Sequence, residues 1–174
     1  MNENDNKKSF IERWNEELDR EDLRRVWTKG AIACIATAIV AAFVDFLLVK
    51  INASFFVGII IVGAFIGLFI NNSFKKYHIK YSFITLLYVF IGMILLNFLR
   101  LLLIHGFSNF GEFLSHGDAW FMIFLHPIRA VYMAIKIGEI GNYIFSFIEL
   151  ILYIGSFFIA YLLSKKKNES ETEE

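Results

Sequence analysis

The chain has 174 residues, of which 57% are hydrophobic, and its 17 basic and 17 acidic side chains give a formal net charge of zero. Soluble domains average about 45–50% apolar residues, so this composition favours a membrane protein. The balanced charge excludes a strongly basic nucleic-acid-binding domain. The single cysteine, Cys34, excludes an intrachain disulfide. We therefore expect an all-α integral membrane protein.

Residues 1–29 are densely charged, unlike the basic and then apolar start of a secretory signal. We predict an amphipathic cytoplasmic helix here, with a capping box formed by Ser9 and Glu12 and a break near Asp19. Its apolar face consists of four residues at helical spacing: Phe10, Ile11, Trp14 and Leu18. This face either lies along the membrane or docks a cytosolic partner or a second copy, with Trp14 as its anchor.

Four apolar segments follow, each close to the ~20 residues that a helix needs to cross a bilayer. They cover residues 31–49, 54–70, 81–104 and 143–163. Together they predict a transmembrane domain of four helices over residues 30–164, embedded in the lipid bilayer. Residues 106–142 form a long connection between the third and fourth helices. Residues 165–174 are acidic at their end and too polar to fold, so we expect a disordered cytoplasmic tail.

The distribution of Lys and Arg residues predicts the orientation, because cytoplasmic loops carry the excess of positive charge. Ten such residues lie on the side of both termini: Arg20, Arg24, Arg25, Lys29, Lys75, Lys76, Lys80, Lys165, Lys166 and Lys167. Only Lys50, Arg129 and Lys136 lie on the other side. This bias predicts both termini in the cytoplasm and an even number of crossings. The composition, which is heavy in Ile, Phe, Lys and Asn, suggests a bacterial source and hence a location in the cell (inner) membrane.

The segment "AWFMIFLHPIRAVYMAIKIG", residues 119–138, is apolar enough to resemble a fifth crossing. A fifth crossing would place the basic residues 165–167 outside, against the charge rule. Pro127 also breaks the segment. We predict a pair of short helices at the outer interface, either re-entrant or lying on the surface.

Small residues indicate where the membrane helices meet, since lipid supplies no hydrophobic drive for helix association. Gly63 and Gly67 form a GxxxG pair, which we expect to pack against Ala38 and Ala42 across the tight hairpin. The fourth helix carries a polar or small stripe at alternating spacings of four and three residues: Asn142, Ser146, Glu149, Tyr153, Ser156 and Ala160. Such a stripe faces protein or water rather than lipid.

Charged residues inside the membrane helices are the nearest thing to a functional signal. Asp45 would cost about 2.5–3.5 kcal/mol if it faced lipid. Asp45, Arg100 and Glu149 lie four to six residues from the outer ends of three helices, which corresponds to a common depth of roughly 6–9 Å. We predict one cluster in which Arg100 engages both carboxylates, with Asn97 and Tyr153 as neighbours. It either holds the helices in register or forms a proton-sensitive gate, unless Arg100 snorkels outward.

Motifs for catalysis and cofactor binding are weak. His116, Asp118 and His126, with His105 nearby, are the only metal-ligand candidates, and their spacing matches no zinc signature. No GxSxG elbow and no glycine-rich phosphate loop is present in the sequence. We predict no cofactor and no enzymatic activity.

Three functions remain compatible with these observations. The first is a non-enzymatic membrane subunit that forms homo-oligomers or anchors a cytosolic protein through its N-terminal helix. Bacterial defence and immunity systems use small proteins of this architecture, which is an analogy by architecture alone. The second is an oligomeric ion or proton channel gated through the charge cluster. The third is a metal-dependent membrane hydrolase, which has the weakest support.

Overall fold

The computed structural model describes residues 10–51, 57–137 and 140–165, and each regular element within these ranges is an α-helix. The helices are α1 (Phe10–Asn15), α2 (Arg20–Lys50), α3 (Val57–Asn71), α4 (Ile79–Ser115), α5 (Gly117–Ile137) and α6 (Ile140–Lys165). Helices α2, α4 and α6 contain stretches long and apolar enough to cross a membrane, and α3 is a shorter apolar helix of 15 residues. These helices indicate a multi-pass membrane protein.

The charged N-terminal stretch divides between two helices. It breaks after Asn15, and Asp19 then caps α2 by accepting a hydrogen bond of 2.8 Å from the backbone N–H of Glu21. The remaining charged residues continue directly into the apolar part of α2, which therefore has 31 residues and a length of about 46 Å. The predicted capping box of Ser9 and Glu12 lies outside the described residues, which include neither Ser9 nor the side chain of Glu12.

Helices α2, α3, α4 and α6 form a packed bundle. Its interior is filled by apolar side chains from all four helices, among them Ala42, Ile59, Val62, Ile66, Val89, Leu96 and Ala160. We call the end where α2 begins and α6 ends the terminal end, and the end that holds Lys50 the far end. Helices α3 and α4 approach closely at Gly92, where a Cβ would lie 2.9 Å from Val62.

The GxxxG pair of α3 packs against α6, which corrects the predicted contact with Ala38 and Ala42 of α2. A Cβ on Gly63 would overlap the hydroxyl and the backbone of Ser156, and one on Gly67 would lie 2.9 Å from the Ala160 carbonyl oxygen. Ser156 and Ala160 are also four residues apart, so two small-residue faces meet and the backbones approach closely. Ala38 and Ala42 are buried in the bundle.

The long connection between the third and fourth membrane helices is helical along its described length. Helix α4 kinks at Gly106, whose φ of 75° favours a residue without a Cβ, and then continues to Ser115. Helix α5 is interrupted at Leu125, two residues before Pro127. The predicted break therefore occurs, although the connection begins with an extension of α4 that the sequence did not indicate.

A buried charge cluster at the far end of the bundle

Asp45 lies in the last two turns of α2, buried against the start of α3. It is only 2% exposed, and its Oδ1 accepts a hydrogen bond of 2.8 Å from the backbone N–H of Gly58. Amide groups in the first turn of a helix have no partner within the helix and favour a negative charge. A Cβ on Gly58 would lie 2.6 Å from Asp45 Oδ2, so the glycine lets the carboxylate approach. This contact offsets part of the cost of burying Asp45.

Arg100 lies between the two carboxylates, as the common depth of the three residues predicts. Its Nε is 3.5 Å from Asp45 Oδ2, and its Nη1 is 4.0 Å from Glu149 Oε1. Arg100 is 7% exposed and Glu149 4%, so the arginine does not snorkel to the surface. These distances are ionic contacts, longer than the paired hydrogen bonds of a bidentate arginine fork. The three side chains link α2, α4 and α6.

Asn97 and Tyr153 extend the cluster toward the centre of the bundle. The Tyr153 hydroxyl donates to Asn97 Oδ1 over 2.8 Å, and Arg100 Nη1 lies 3.5 Å from the same oxygen. The Asn97 amide donates in turn to the carbonyl oxygen of Ile123 in α5, over 3.2 Å. That carbonyl is available because Pro127, four residues later, has no N–H to donate to it. The missing N–H of the proline thus leaves the Ile123 carbonyl free to accept the hydrogen bond that links α5 to the cluster.

His126 is the member that sequence reasoning missed. Its Nδ1 lies 3.0 Å from Glu149 Oε1, whereas the sequence suggested His126 only as a weak metal ligand. Ile123 and His126 lie on either side of the interruption at Leu125, and both contact the bundle from the inner face of α5. The break before Pro127 was the one available signal that this face turns inward.

A small cavity of about 30 Å³ adjoins the cluster and has room for about one water molecule. Its lining consists of Asp45, Phe46, Val49, Arg100 and Ile104. Within the described chain, three buried atoms of the cluster have no aligned hydrogen bond: Asp45 Oδ2, Glu149 Oε1 and His126 Nδ1. With a neutral imidazole the cluster carries one excess negative charge. The cavity can therefore hold a water molecule, and the excess negative charge of the cluster favours a bound proton.

The polar stripe of α6 faces the interior of its own chain. Glu149, Tyr153 and Ser156 are buried, and the Ser156 hydroxyl donates to the Ile59 carbonyl over 2.8 Å. The Ser146 hydroxyl donates to the Ala130 carbonyl of α5 over 3.2 Å. The side chain of Asn142 lies outside the described residues. The stripe is thus occupied by contacts with α3, α4 and α5.

The remaining metal-ligand candidates are His105, His116 and Asp118. His105 stacks on Phe113 with ring centroids 4.3 Å apart, and His116 Nδ1 lies 3.0 Å from the Glu112 carbonyl oxygen. Asp118 is exposed in the first turn of α5. Across the described ranges, no group of three or more His, Cys, Asp or Glu side chains is placed to hold a metal ion.

The predicted docking face of α1 is partly used within the chain. The Trp14 ring packs edge-on against Phe83 of α4 at 5.2 Å, and Lys80 lies over Trp14 at 5.4 Å. Leu18 is half-buried against the core, whereas Ile11 is 69% exposed. The side chain of Phe10 lies outside the described part. Among the described side chains of this face, Ile11 is therefore the most accessible, and Trp14 is 37% exposed.

A second polar network, which sequence reasoning also missed, ties the segment after α1 and the α3–α4 loop to the terminal end. Buried Asp22 accepts a hydrogen bond of 2.9 Å from the Lys75 N–H. His78 Nδ1 accepts from the Lys80 N–H over 3.1 Å and thereby caps α4, so its Nε2 carries the proton that faces the Glu16 carbonyl oxygen at 3.3 Å. Burial of the imidazole lowers the pKa of His78, which favours the neutral ring in both contacts.

Comparisons of the chain with protein-family models, with curated proteins and with solved structures gave no significant match. A function for this chain is therefore inferred from its own geometry.

Proposed function

We propose that the chain is a non-enzymatic subunit of a bacterial inner membrane, which crosses the bilayer four times with both termini in the cytoplasm. It acts by forming homo-oligomers or by anchoring a cytosolic protein at its terminal end. A role in defence or immunity is one setting for such a subunit, and it rests on architecture alone. The charge cluster then lies near the outer surface and holds the helices in register.

The burial of the polar stripe of α6 and of the charge cluster within one chain carries this proposal. A pore-lining stripe faces water, but Glu149, Tyr153 and Ser156 contact the other helices of their own bundle. Partner binding at the terminal end is supported by its exposed charges, which include Glu17, Arg20, Arg24, Lys29, Lys75 and Lys76. Ile11 adds an exposed apolar side chain to that surface.

Site-specific photo-crosslinking in the native membrane tests the docking role. We expect a photoreactive amino acid at Ile11 to capture one defined protein, either a cytosolic partner or a second copy of the chain. The matched control is the same amino acid at Phe107, a large apolar residue that is 82% exposed at the far end and should not capture that species. Capture of lipid alone from position 11 would contradict a docking surface there.

The purified protein, reconstituted in liposomes, tests the alternative of an oligomeric channel in the same series. We expect liposomes that contain the wild-type protein or Glu149→Gln to stay tight to K⁺ and to protons, because the polar stripe of α6 is buried against the other helices of its own bundle. An ion flux that Glu149→Gln alters would replace the subunit proposal with the channel, since that outcome requires a conduction path through the cluster.

A further inference from the structure

The contact between His126 and Glu149 requires a proton. Nδ1 of His126 and Oε1 of Glu149 are both buried and lie 3.0 Å apart, and neither has an aligned hydrogen bond to a described residue. A bare imidazole nitrogen and a carboxylate oxygen are both acceptors, so their lone pairs repel one another at this distance. A proton on Nδ1, with a small turn of the ring toward Oε1, converts the repulsion into a charge-assisted hydrogen bond.

We propose that His126 and Glu149 form a proton-binding site, whose ligand is a hydrogen ion taken up from water at the far end. Nδ1 keeps its proton toward Glu149, and Nε2 gains and loses the second one. Binding converts a neutral imidazole into an imidazolium, and no other bond forms or breaks. His126 is suited to exchange with water because its side chain is 25% exposed, whereas the Glu149 side chain is 5% exposed.

The charges around the pair come from three helices. Glu149 of α6 and Asp45 of α2 favour the imidazolium, and Arg100 of α4, which lies 4.0 Å from Glu149, opposes it. With the second proton bound, two positive and two negative charges balance. Without it, one negative charge remains uncompensated in a buried site, which is unfavourable. Among the described residues the bound proton therefore makes the cluster neutral.

Proton binding also affects how α5 is held. Two α5 carbonyls on either side of His126 already accept hydrogen bonds from the bundle, Ile123 from Asn97 and Ala130 from Ser146. The imidazolium adds an ionic contact between these two anchoring points. The site thus couples proton concentration at the far end to the attachment of α5. This inference goes beyond the proposed function and holds whether or not a partner binds at the terminal end.

Nitrogen-15 NMR of the full chain, labelled at histidine and placed in lipid nanodiscs, tests the proposal directly. The variant His126→Gln assigns the resonances among the four histidines. We expect Nδ1 of His126 to be protonated throughout the range studied, with Nε2 releasing its proton as pH rises. In Glu149→Gln this release shifts to lower pH, because the facing negative charge is gone. The control His116→Gln should leave it unchanged.

Three results would overturn the proposal. They are a bare Nδ1 with the proton on Nε2, a ring that does not titrate, and release at the same pH in wild type and Glu149→Gln. The first two are read from the wild-type protein, so the test does not depend on whether Glu149→Gln folds.

Discussion

At the scale of single residues, Arg100 is the group that the cluster depends on most. It contacts a carboxylate on either side, and its charge is permanent. Asp45 differs because Oδ1 has a second partner, the N–H of Gly58. An asparagine at position 45 retains an oxygen that accepts this bond. The two residues therefore contribute unequally to stability.

We expect Arg100→Gln to lower the free energy of unfolding by about 3–5 kcal/mol, because it leaves two buried carboxylates without their cation. Asp45→Asn should cost no more than about 2 kcal/mol, since it retains the bond to Gly58 and removes a charge. Thermal unfolding of both variants in the same detergent measures the difference. Identical melting temperatures for wild type and both variants would argue that no buried ion pair exists.

The sequence predicted the three charged members of the cluster but not its histidine. Helical rise alone placed Asp45, Arg100 and Glu149 at one depth. Charged side chains at one depth in a membrane tend to pair, because an unpaired charge in lipid is costly. His126 belongs to a segment outside the long membrane helices, and its direction depends on the kinks at Gly106 and Leu125. Periodicity cannot supply the angle of a kink, so the contact with Glu149 emerged only from the folded chain.

At the scale of elements, the closest seam joins α3 to α6. Gly63 and Gly67 of α3 meet Ser156 and Ala160 of α6, and the Ser156 hydroxyl reaches the Ile59 carbonyl. Both small-residue faces are visible in the sequence. Their pairing is not, because Ala38 and Ala42 of α2 have the same spacing. Because α2 is adjacent to α3 along the chain, the sequence favoured α2 as the partner of the two glycines. The packing of α6 across α3 makes α6 the partner instead.

This seam predicts opposite effects for two glycine substitutions. Gly63→Ala should destabilise the protein by about 1–3 kcal/mol, because the new methyl group overlaps the Ser156 backbone, which cannot move away as a side chain can. Gly155→Ala is the matched control on α6, where a Cβ meets nothing within 4 Å. It should be neutral or stabilise the helix by up to about 1 kcal/mol. Unfolding in a denaturing detergent compares them, and equal effects would contradict the seam.

At the scale of the whole molecule, the proposed topology has both termini on one side of the membrane. Helices α2, α4 and α6 contain stretches that can span a bilayer by length and composition, and α3 is shorter. Its 15 described residues rise about 22 Å, less than the ~30 Å of hydrocarbon. The number of crossings therefore depends on α3, and labelling from either side of the membrane measures it.

Two exposed positions report on the two sides, Asn109 near the far end and Lys165 at the terminal end. In a Cys34→Ala background, which removes the only native thiol, we expect a membrane-impermeant reagent to label Asn109→Cys in intact cells. Lys165→Cys should be labelled only after the inner membrane is opened. Labelling of both in intact cells would contradict an even number of crossings.

The sequence by itself determined the all-helical, multi-pass class of this protein and brought Asp45, Arg100 and Glu149 to a common depth, and it predicts four membrane segments. These properties follow from composition and from the helical rise, which are local quantities. The tertiary structure alone decided that α3 packs on α6, that α5 turns His126 toward Glu149, and that the terminal end is tied together through Asp22 and His78. Each of these depends on angles between helices, which side-chain packing sets and residue spacing does not encode.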